Sequence, residues 1–228
     1  MATLYSPKIV TDGLTFAIDA GNTKSYPGSG TVWTDLTGNN YSGSLTNGPT
    51  FSTDGRGSIK FDGVNDYVVH TGTDGFGTAN KAPAFSMCLW GKFTAALQHV
   101  AGFRNDTNYD LYFLLLGSTT EARIRTSTGN YDIVVTWTSY ANSWTHIGFT
   151  GTSNRIDLYL NGVVVGSNTN VGGTFGATSS NFHIARNPDP TFPYYSSGYV
   201  GAVQFYNRTL SSTEVLQNYN ATRSRFGV

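Results

Sequence analysis

Hydrophobic and polar positions alternate most clearly in residues 144–166, WTHIGFTGTSNRIDLYLNGVVVG. One face of an extended segment carries aliphatic side chains and the other carries polar ones: Ile156, Leu158 and Leu160 against Asp157 and Tyr159. A period of two residues is typical of a strand with two unlike faces. Asn161-Gly162 follows, a pair that tolerates the positive φ of a tight hairpin, so the segment predicts consecutive antiparallel strands.

Short strands separated by glycine-rich or polar turns are predicted along most of the chain. The predicted strands are 14–20, 58–62, 66–70, 85–93, 99–104, 111–116, 122–126 and 131–136. This spacing is typical of an all-β sandwich or barrel. In FSMCLWGKF both faces are apolar, as in a central strand.

One helix is predicted, near the end of the chain. Ser211 and Glu214 have the spacing of a capping box, and Val215, Leu216 and Tyr219 could pack on the sandwich. We expect one or two helical turns there.

Composition narrows the class of protein. The 228 residues include only 12% charged residues, have a net charge of zero and show no basic patch. We therefore expect no nucleic-acid partner and no membrane insertion. The chain is predicted to form an extended arm over 1–13 and a single domain over 14–228. Cys88, the only cysteine, is expected to be a buried apolar residue.

Three segments carry a family resemblance: the Trp144–Gly162 region, SIKFDGVNDYVV (58–69), and FHIAR (182–186) followed by GYVGAVQFYNRTLSSTEVLQNY (198–219). Their order and wording resemble laminin G-like, concanavalin A-like domains over roughly 14–219. The resemblance implies an all-β jelly-roll sandwich of two antiparallel sheets with a short C-terminal helix. Because this scaffold serves many functions, it does not by itself identify one.

The first 40 and last 20 residues resemble segments of structural proteins of tailed bacteriophages. This implies a non-enzymatic virion protein, either a capsid decoration or an outer appendage, presenting a lectin-like domain. Its expected partners are other virion proteins, host-surface glycans and further copies of itself. The N-terminus has no secretory pattern, so we expect assembly in the host cytoplasm. The alternative is a free lectin or a glycan hydrolase.

Hydrolase chemistry needs two carboxylates facing each other across a cleft. The pattern Glu-x-Asp-x-x-Glu, found in hydrolases on this scaffold, is absent, and the chain has two glutamates, Glu121 and Glu214. Its four histidines are scattered singly, without the spacing of a zinc site. No catalytic residue is predicted.

Calcium binding is implied by resemblance to pentraxins, in which two loops of this fold hold the ion. The matching positions are Asn108 and Asp110 in one loop and Asn187 and Asp189 in the other, with Asp110 and Asp189 as metal ligands. The resemblance places the strand after Asp110 and the strand ending at Arg186 in one sheet, with their loops at one rim, so their oxygens could meet on one ion. Solvated turns that use Asn and Asp for backbone hydrogen bonds explain the same residues.

Sugar binding requires exposed aromatic side chains beside polar loops. Tyr194 and Tyr195 satisfy this in the second loop, and Trp137 and Tyr140 are further candidates. Packing in the core or in an interface explains these residues equally well. The predicted ligand site is therefore Asn108, Asp110, Asn187, Asp189, Tyr194 and Tyr195.

Overall fold

The computed structural model describes residues 7–72, 84–94, 97–105, 109–116, 119–126, 128–136, 138–173, 181–187 and 194–228. Of residues 97, 98, 104, 105, 109–116, 119–121 and 125, the backbone alone is described.

Two antiparallel sheets make up the domain. In sheet A the strand order is β14-β13-β12-β7-β16-β5-β4, with β1 beside β16. Its strands are β1 (Leu14–Asp19), β4 (Thr50–Ser52), β5 (Ser58–Asp62), β7 (Phe85–Phe93), β12 (Thr145–Gly151), β13 (Ile156–Leu160), β14 (Val163–Asn168) and β16 (Ser197–Tyr206).

Sheet B has the order β11-β10-β9-β8-β15-β6-β3-β2. Its strands are β2 (Val32–Trp33), β3 (Gly43–Thr46), β6 (Tyr67–His70), β8 (Leu97–Asn105), β9 (Tyr109–Leu116), β10 (Thr119–Thr126), β11 (Gly129–Thr136) and β15 (Phe182–Ile184). The predicted sandwich of two antiparallel sheets is confirmed.

The two sheets pack face to face through aromatic and aliphatic side chains. Phe16 and Phe205 of sheet A meet Phe182 and Phe103 of sheet B, with ring centroids 5.9 Å apart for Phe16–Phe182 and 5.7 Å for Phe103–Phe205. These rings belong to one buried cluster that draws on both sheets. The burial of these apolar side chains supplies most of the free energy that holds the two sheets together.

The hairpin predicted at Asn161-Gly162 is confirmed. Leu160 pairs with Val163 across it, and Asn161 and Gly162 have φ of 51° and 79°. Two successive residues with positive φ match the twist of the flanking strands.

Helix α1 (Ser212–Phe226) begins with the predicted capping box, in which the Glu214 amide donates to Ser211 Oγ. The predicted length of one or two turns is wrong, because the helix has 15 residues. Its buried face continues past Val215 to Asn218 and Phe226, and it ends only at Gly227, which adopts a left-handed φ of 76°. Packing of that face stabilises the later turns, for which local sequence signals are weak.

The outer face of sheet A is covered by α1. Cys88 lies in a buried cluster with Val215 of the helix, and Trp90 stacks on Phe226 at 4.3 Å. The Trp90 indole also donates to Thr222 Oγ1 at 2.8 Å. β7 is therefore apolar on both faces because one meets sheet B and the other meets the helix.

The described part of the N-terminal arm, 7–13, lies against α1. The Val10 amide donates to Asn218 Oδ1 at 2.8 Å, and the Tyr206 hydroxyl donates to the Val10 carbonyl at 3.0 Å. Gln217 donates from its side chain to the Lys8 carbonyl at 2.8 Å. Asn218 is 1% exposed and satisfies buried backbone that no strand partner reaches.

Two glycines leave room for the end of the helix. A Cβ on Gly201 would lie 2.5 Å from Phe226, and one on Gly55 would lie 2.7 Å from Trp144. Arg225 fixes the same corner by donating to the carbonyls of Gly55 and Gly57. No helix in the described part of the chain is long and apolar enough to span a membrane.

We predict that Phe226→Ala loosens α1 from sheet A. The ring is 5% exposed and contacts Trp90 and Trp144, so its loss should cost about 3 kcal/mol. For a domain of this size that corresponds to a melting temperature lower by about 6–12 °C. Thermal unfolding followed by circular dichroism measures the shift. Val228→Ala, at an exposed position nearby, is the control; an equal shift in both variants would contradict the packing role.

We also predict acid sensitivity centred on His146, which packs between Trp90 and Tyr219. Burial lowers the pKa of His146 from 6.5 to about 3, and both ring nitrogens are buried without a hydrogen-bond partner. Between pH 6.5 and pH 3 the unfolded chain binds the extra proton, so stability falls as the pH falls, by up to about 1.4 kcal/mol per pH unit.

His146→Leu should flatten this pH dependence, as measured by urea unfolding at pH 7, 6, 5 and 4. His70→Gln is the matched control, because it removes a different buried histidine and leaves His146 in place. An unchanged slope in His146→Leu would show that His146 is not the group that titrates.

Candidate functional site

The outer face of sheet B differs from that of sheet A, since α1 and the arm lie on sheet A. In β6 and β15 alternate residues point to opposite faces. Val68 and Ile184 point into the core, so Tyr67, Val69 and His183 lie on the outer face. A cluster of aromatic side chains and one arginine lies where β15 ends, beside the start of β6.

The cluster is built around the guanidinium of Arg186. Its Cζ lies 4.7 Å from the ring centroid of Tyr67 and 5.9 Å from that of Tyr195. The two tyrosine rings are 6.3 Å apart, and Tyr67 is also 6.0 Å from the ring of His183. We call Tyr67, His183, Arg186 and Tyr195 the Arg186 cluster. Cations over aromatic faces are held by the ring quadrupole, most strongly where water is partly excluded.

The backbone around Ala185 places Arg186 in this position. Ala185 has a φ of 64°, which is uncommon for a residue with a Cβ, and marks the end of β15. Its amide donates to the Val100 carbonyl at 2.8 Å, and its carbonyl accepts from the Ser196 amide at 2.8 Å. The Ser196 hydroxyl, fully buried, donates to the His99 carbonyl at 2.7 Å. These bonds anchor the strand end on β8 and turn the chain outward.

Beyond this anchor the chain pairs with its own return segment. Arg186 bridges Tyr195 in antiparallel fashion, and the Asn187 amide donates to the Tyr194 carbonyl at 2.8 Å. Asn187 and Tyr194 therefore form the base of one loop. Tyr194 is 44% exposed, the most accessible described aromatic residue of this region.

The charge in the Arg186 cluster belongs to arginine alone. Burial and the positive charge of Arg186 lower the pKa of His183 to about 4, so this imidazole is neutral at pH 7. Its Nδ1 is buried without a hydrogen-bond partner. The cluster is therefore a single cation among three aromatic rings.

Arg186 differs from the arginines that have a carboxylate partner, for example Arg123 with Asp132 and Arg208 with Glu214. Within the described residues no Asp or Glu pairs with Arg186. Its Nε is buried and makes no hydrogen bond. The side chain as a whole is half-buried.

The structure locates only part of the site predicted from sequence. Asn108 and Asp189 lie outside the described residues, as does Trp137, and for Asp110 the backbone alone is described. Asn187, Tyr194 and Tyr195 come together at the base of one loop. Tyr140 packs against the core.

The expectation that the two predicted loops share one rim is wrong. Asp110 pairs with Arg104 of β8, whereas Ala185 bonds to Val100, four residues away along the same strand. At about 3.3 Å per residue this separates them by roughly 13 Å, and Asn187 lies farther still. β15 runs antiparallel to β8, so the loop before β9 lies at the start of β15 and the Asn187 loop at its end. The described residues that flank the two loops therefore lie toward opposite ends of β8 and β15.

The described donors do not make a metal site. Among the residues described, no group of three or more His, Cys, Asp and Glu could hold an ion. Near the second loop, the described residues provide the side-chain oxygen of Asn187 as a possible ligand. Asn187 is next in sequence to Arg186, whose positive charge disfavours a cation there. Calcium binding stays a prediction from the sequence.

The described carboxylates have structural partners. The pKa of Glu214 is lowered to about 2, chiefly by hydrogen bonds from Arg208, and Asp54 accepts from Lys92 and Trp144. Asp62 accepts backbone bonds inside the 62–66 turn, which lowers its pKa, whereas burial raises the pKa of Asp66. Asp66 is 5% exposed, and both carboxylates accept hydrogen bonds from the backbone of the turn.

Sequence reasoning missed Tyr67, His183 and Arg186 as one site. The available signal was the outward position of Tyr67 and His183 in their strands. Arg186 could be placed over Tyr67 only with the β6–β15 register and the turn at Ala185.

Solved structures similar to this chain include a domain of an arabinanase and the binding domains of toxins. Domain 4 of AbnA, a GH43 extracellular arabinanase from Geobacillus stearothermophilus, in complex with arabinotriose, has a TM-score of 0.69 and 19% identity, and the match covers 90% of this chain and 98% of that one. The binding domain of botulinum neurotoxin DC in complex with SialylT has a TM-score of 0.73, 11% identity and coverages of 92% and 52%.

The binding domain of Paraclostridial Mosquitocidal Protein 1 is similar at a TM-score of 0.71 and 17% identity, with coverages of 92% and 52%. This chain thus spans about half the length of the toxin binding domains. At these identities the likeness concerns the fold. Comparison with the curated proteins finds no match.

A family model of the concanavalin A-like lectin/glucanases superfamily matches residues 61–216, which include both the Arg186 cluster and the start of α1. The sandwich, its strand pairing and this match agree, and the chain belongs to the concanavalin A-like lectin/glucanase superfamily.

Proposed function

We propose that this protein is a non-enzymatic, lectin-like domain that binds glycans through the Arg186 cluster and the adjoining loop. The observation that carries the proposal is the grouping of tyrosines with a cation at the end of β15, beside the start of β6. Sugar rings present apolar C–H faces and polar hydroxyls, and an aromatic ring with a polar tip complements both.

The position of the cluster also favours binding. Tyr67 and His183 stand on strands, so their side chains are held by the sheet, and Tyr194 lies exposed at the loop base. A site that is rigid before binding loses less conformational entropy when the ligand arrives. Similar folds in an arabinanase domain and in toxin binding domains agree with a carbohydrate ligand.

A non-catalytic role is favoured by the state of the described carboxylates. Glu214 is tied to Arg208 and to the start of α1, and Asp66 is buried in its turn. General acid and base catalysis needs two carboxyl groups that reach a glycosidic bond. We therefore expect no reducing sugar to be released from any glycan that the protein binds.

The setting that we propose is the virion of a tailed bacteriophage, as a capsid decoration or outer appendage. The support is the resemblance of the first 40 and last 20 residues to such proteins. Many copies on one particle would raise the avidity of weak individual sites. Mass spectrometry of purified virions tests this setting separately from glycan binding.

Glycan binding is tested with Tyr67→Ala, Tyr194→Ala and Tyr195→Ala on a glycan array, followed by calorimetry with the glycan that binds. Each substitution should weaken binding by about 2- to 10-fold, the value of one aromatic contact. Tyr199→Ala is the matched control, since Tyr199 is also a tyrosine beneath a cation, Lys92 at 5.5 Å, but in sheet A. If Tyr199→Ala weakens binding as much as the others, the site is misplaced. If no glycan binds the parent protein, the proposed function is wrong.

Calcium is the remaining proposal from the sequence, which named Asp110 and Asp189 as candidate ligands. An ion bound to the folded state alone would raise the melting temperature in millimolar calcium over chelator. Because the two loops lie at opposite ends of β8 and β15, we expect Asp110→Ala or Asp189→Ala to abolish the calcium-dependent shift, but not both. Loss of the shift in each single variant would contradict the separation of the loops.

A further inference from the structure

We infer that the Arg186 cluster selects glycans bearing a carboxylate, such as uronic or sialic acid residues, over neutral ones. This inference rests on the proposed glycan-binding function and specifies the class of ligand for the same site. It follows from the state of the Arg186 guanidinium.

The charge of the Arg186 cluster is positive. Arg186 has a positive charge that no described carboxylate neutralises, whereas Arg123, Arg155, Arg208 and Arg225 each pair with an acid. His183, the other titratable group beside it, is neutral at pH 7, and the tyrosine rings contribute no charge. The cluster therefore presents a net positive charge to a ligand.

The guanidinium of Arg186 is partly removed from water. The Nε of Arg186 is buried and makes no hydrogen bond, so part of the guanidinium has left water without a polar partner. The faces of Tyr67 and Tyr195 compensate only partly for this. A cation that is already partly desolvated loses less hydration when an anion binds, and its attraction is weakly screened.

The shape of the Arg186 guanidinium matches that of a carboxylate. The guanidinium is planar, and its plane is restrained by the ring of Tyr67 at 4.7 Å. A carboxylate is planar as well and can accept two parallel N–H donors from the terminal nitrogens. Tyrosine hydroxyls nearby can bond sugar hydroxyls, which a simple inorganic anion lacks. These features favour a carboxylated sugar over a free anion.

The experiment compares matched pairs of glycans that differ only in charge. One pair is an oligogalacturonide and its carboxyl-reduced product; the other is sialyllactose and lactose. The parent protein should bind the acidic member of at least one pair about 10- to 100-fold more tightly, as expected for a charge-assisted bidentate contact. The pair that responds distinguishes a uronic from a sialic acid ligand.

Arg186→Gln should remove the preference, so that the acidic and the neutral member of each pair bind with equal affinity. Arg186→Lys keeps the charge without the planar fork and should retain only part of the preference. Arg223→Gln is the matched control, because Arg223 also lies over a tyrosine, Tyr219 at 5.8 Å, but on α1. Melting temperatures of all variants show whether the fold is retained.

Several outcomes would overturn the inference. Equal affinity for both members of each pair leaves glycan binding in place but removes the carboxylate preference. Loss of the preference in Arg223→Gln as well would show that it is a non-specific charge effect. A sulfated oligosaccharide that binds as tightly as the carboxylated one would show that the site takes anionic glycans in general, which would overturn the assignment of a carboxylate ligand. Absence of binding to any glycan would refute the proposed function together with the inference.

Discussion

The packing of α1 on sheet A is the interaction on which the arrangement of this domain depends. Cys88 and Trp90 make the outer face of β7 apolar, and a sheet with two apolar faces is stable in water only when both are covered. Sheet B covers one face and α1 covers the other. Phe226 stacks on Trp90 and Trp144, and Arg225 ties the helix end to the 55–57 backbone. The helix thus completes the hydrophobic core of the domain.

This packing has a consequence for function. Because α1 and the arm lie on sheet A, the outer side chains of β6 and β15 in sheet B are left to form the Arg186 cluster. The same sheet supplies its rigidity, since Ala185 and Ser196 are anchored to β8 by backbone and hydroxyl bonds. The position of α1 on sheet A therefore determines that the candidate site lies on sheet B.

Most of the fold could be predicted from local signals. The Asn161-Gly162 pair identified a hairpin because few residues tolerate two successive positive φ values, and Ser211 with Glu214 identified a helix start. The end of α1 could not be predicted in the same way. Asn218 and Thr222 favour the helix through partners far along the chain, Val10 and Trp90, and such contacts leave no periodic signal.

The candidate site was less predictable than the fold, for a reason of register. Asn187, Tyr194 and Tyr195 were found because they flank one loop, so their proximity is local in sequence. Tyr67 and Arg186 are more than a hundred residues apart, and they meet only because β15 pairs with β6 and then turns at Ala185. The same register separates Asp110 from Asn187, two residues that family resemblance alone had placed together.

Arg186 differs from Arg225 in how its charge is accommodated within the fold. Arg225 is used structurally: it pairs with Asp19 and donates to backbone carbonyls, so its charge is balanced within the fold. Arg186 is held by aromatic faces, which restrain the guanidinium but do not neutralise it. A fold that needed only packing at this position could use an apolar residue without leaving a buried nitrogen unpaired. Among the described residues no carboxylate balances this charge, and a ligand anion would do so, which is the physical argument for the proposed ligand at the end of β15.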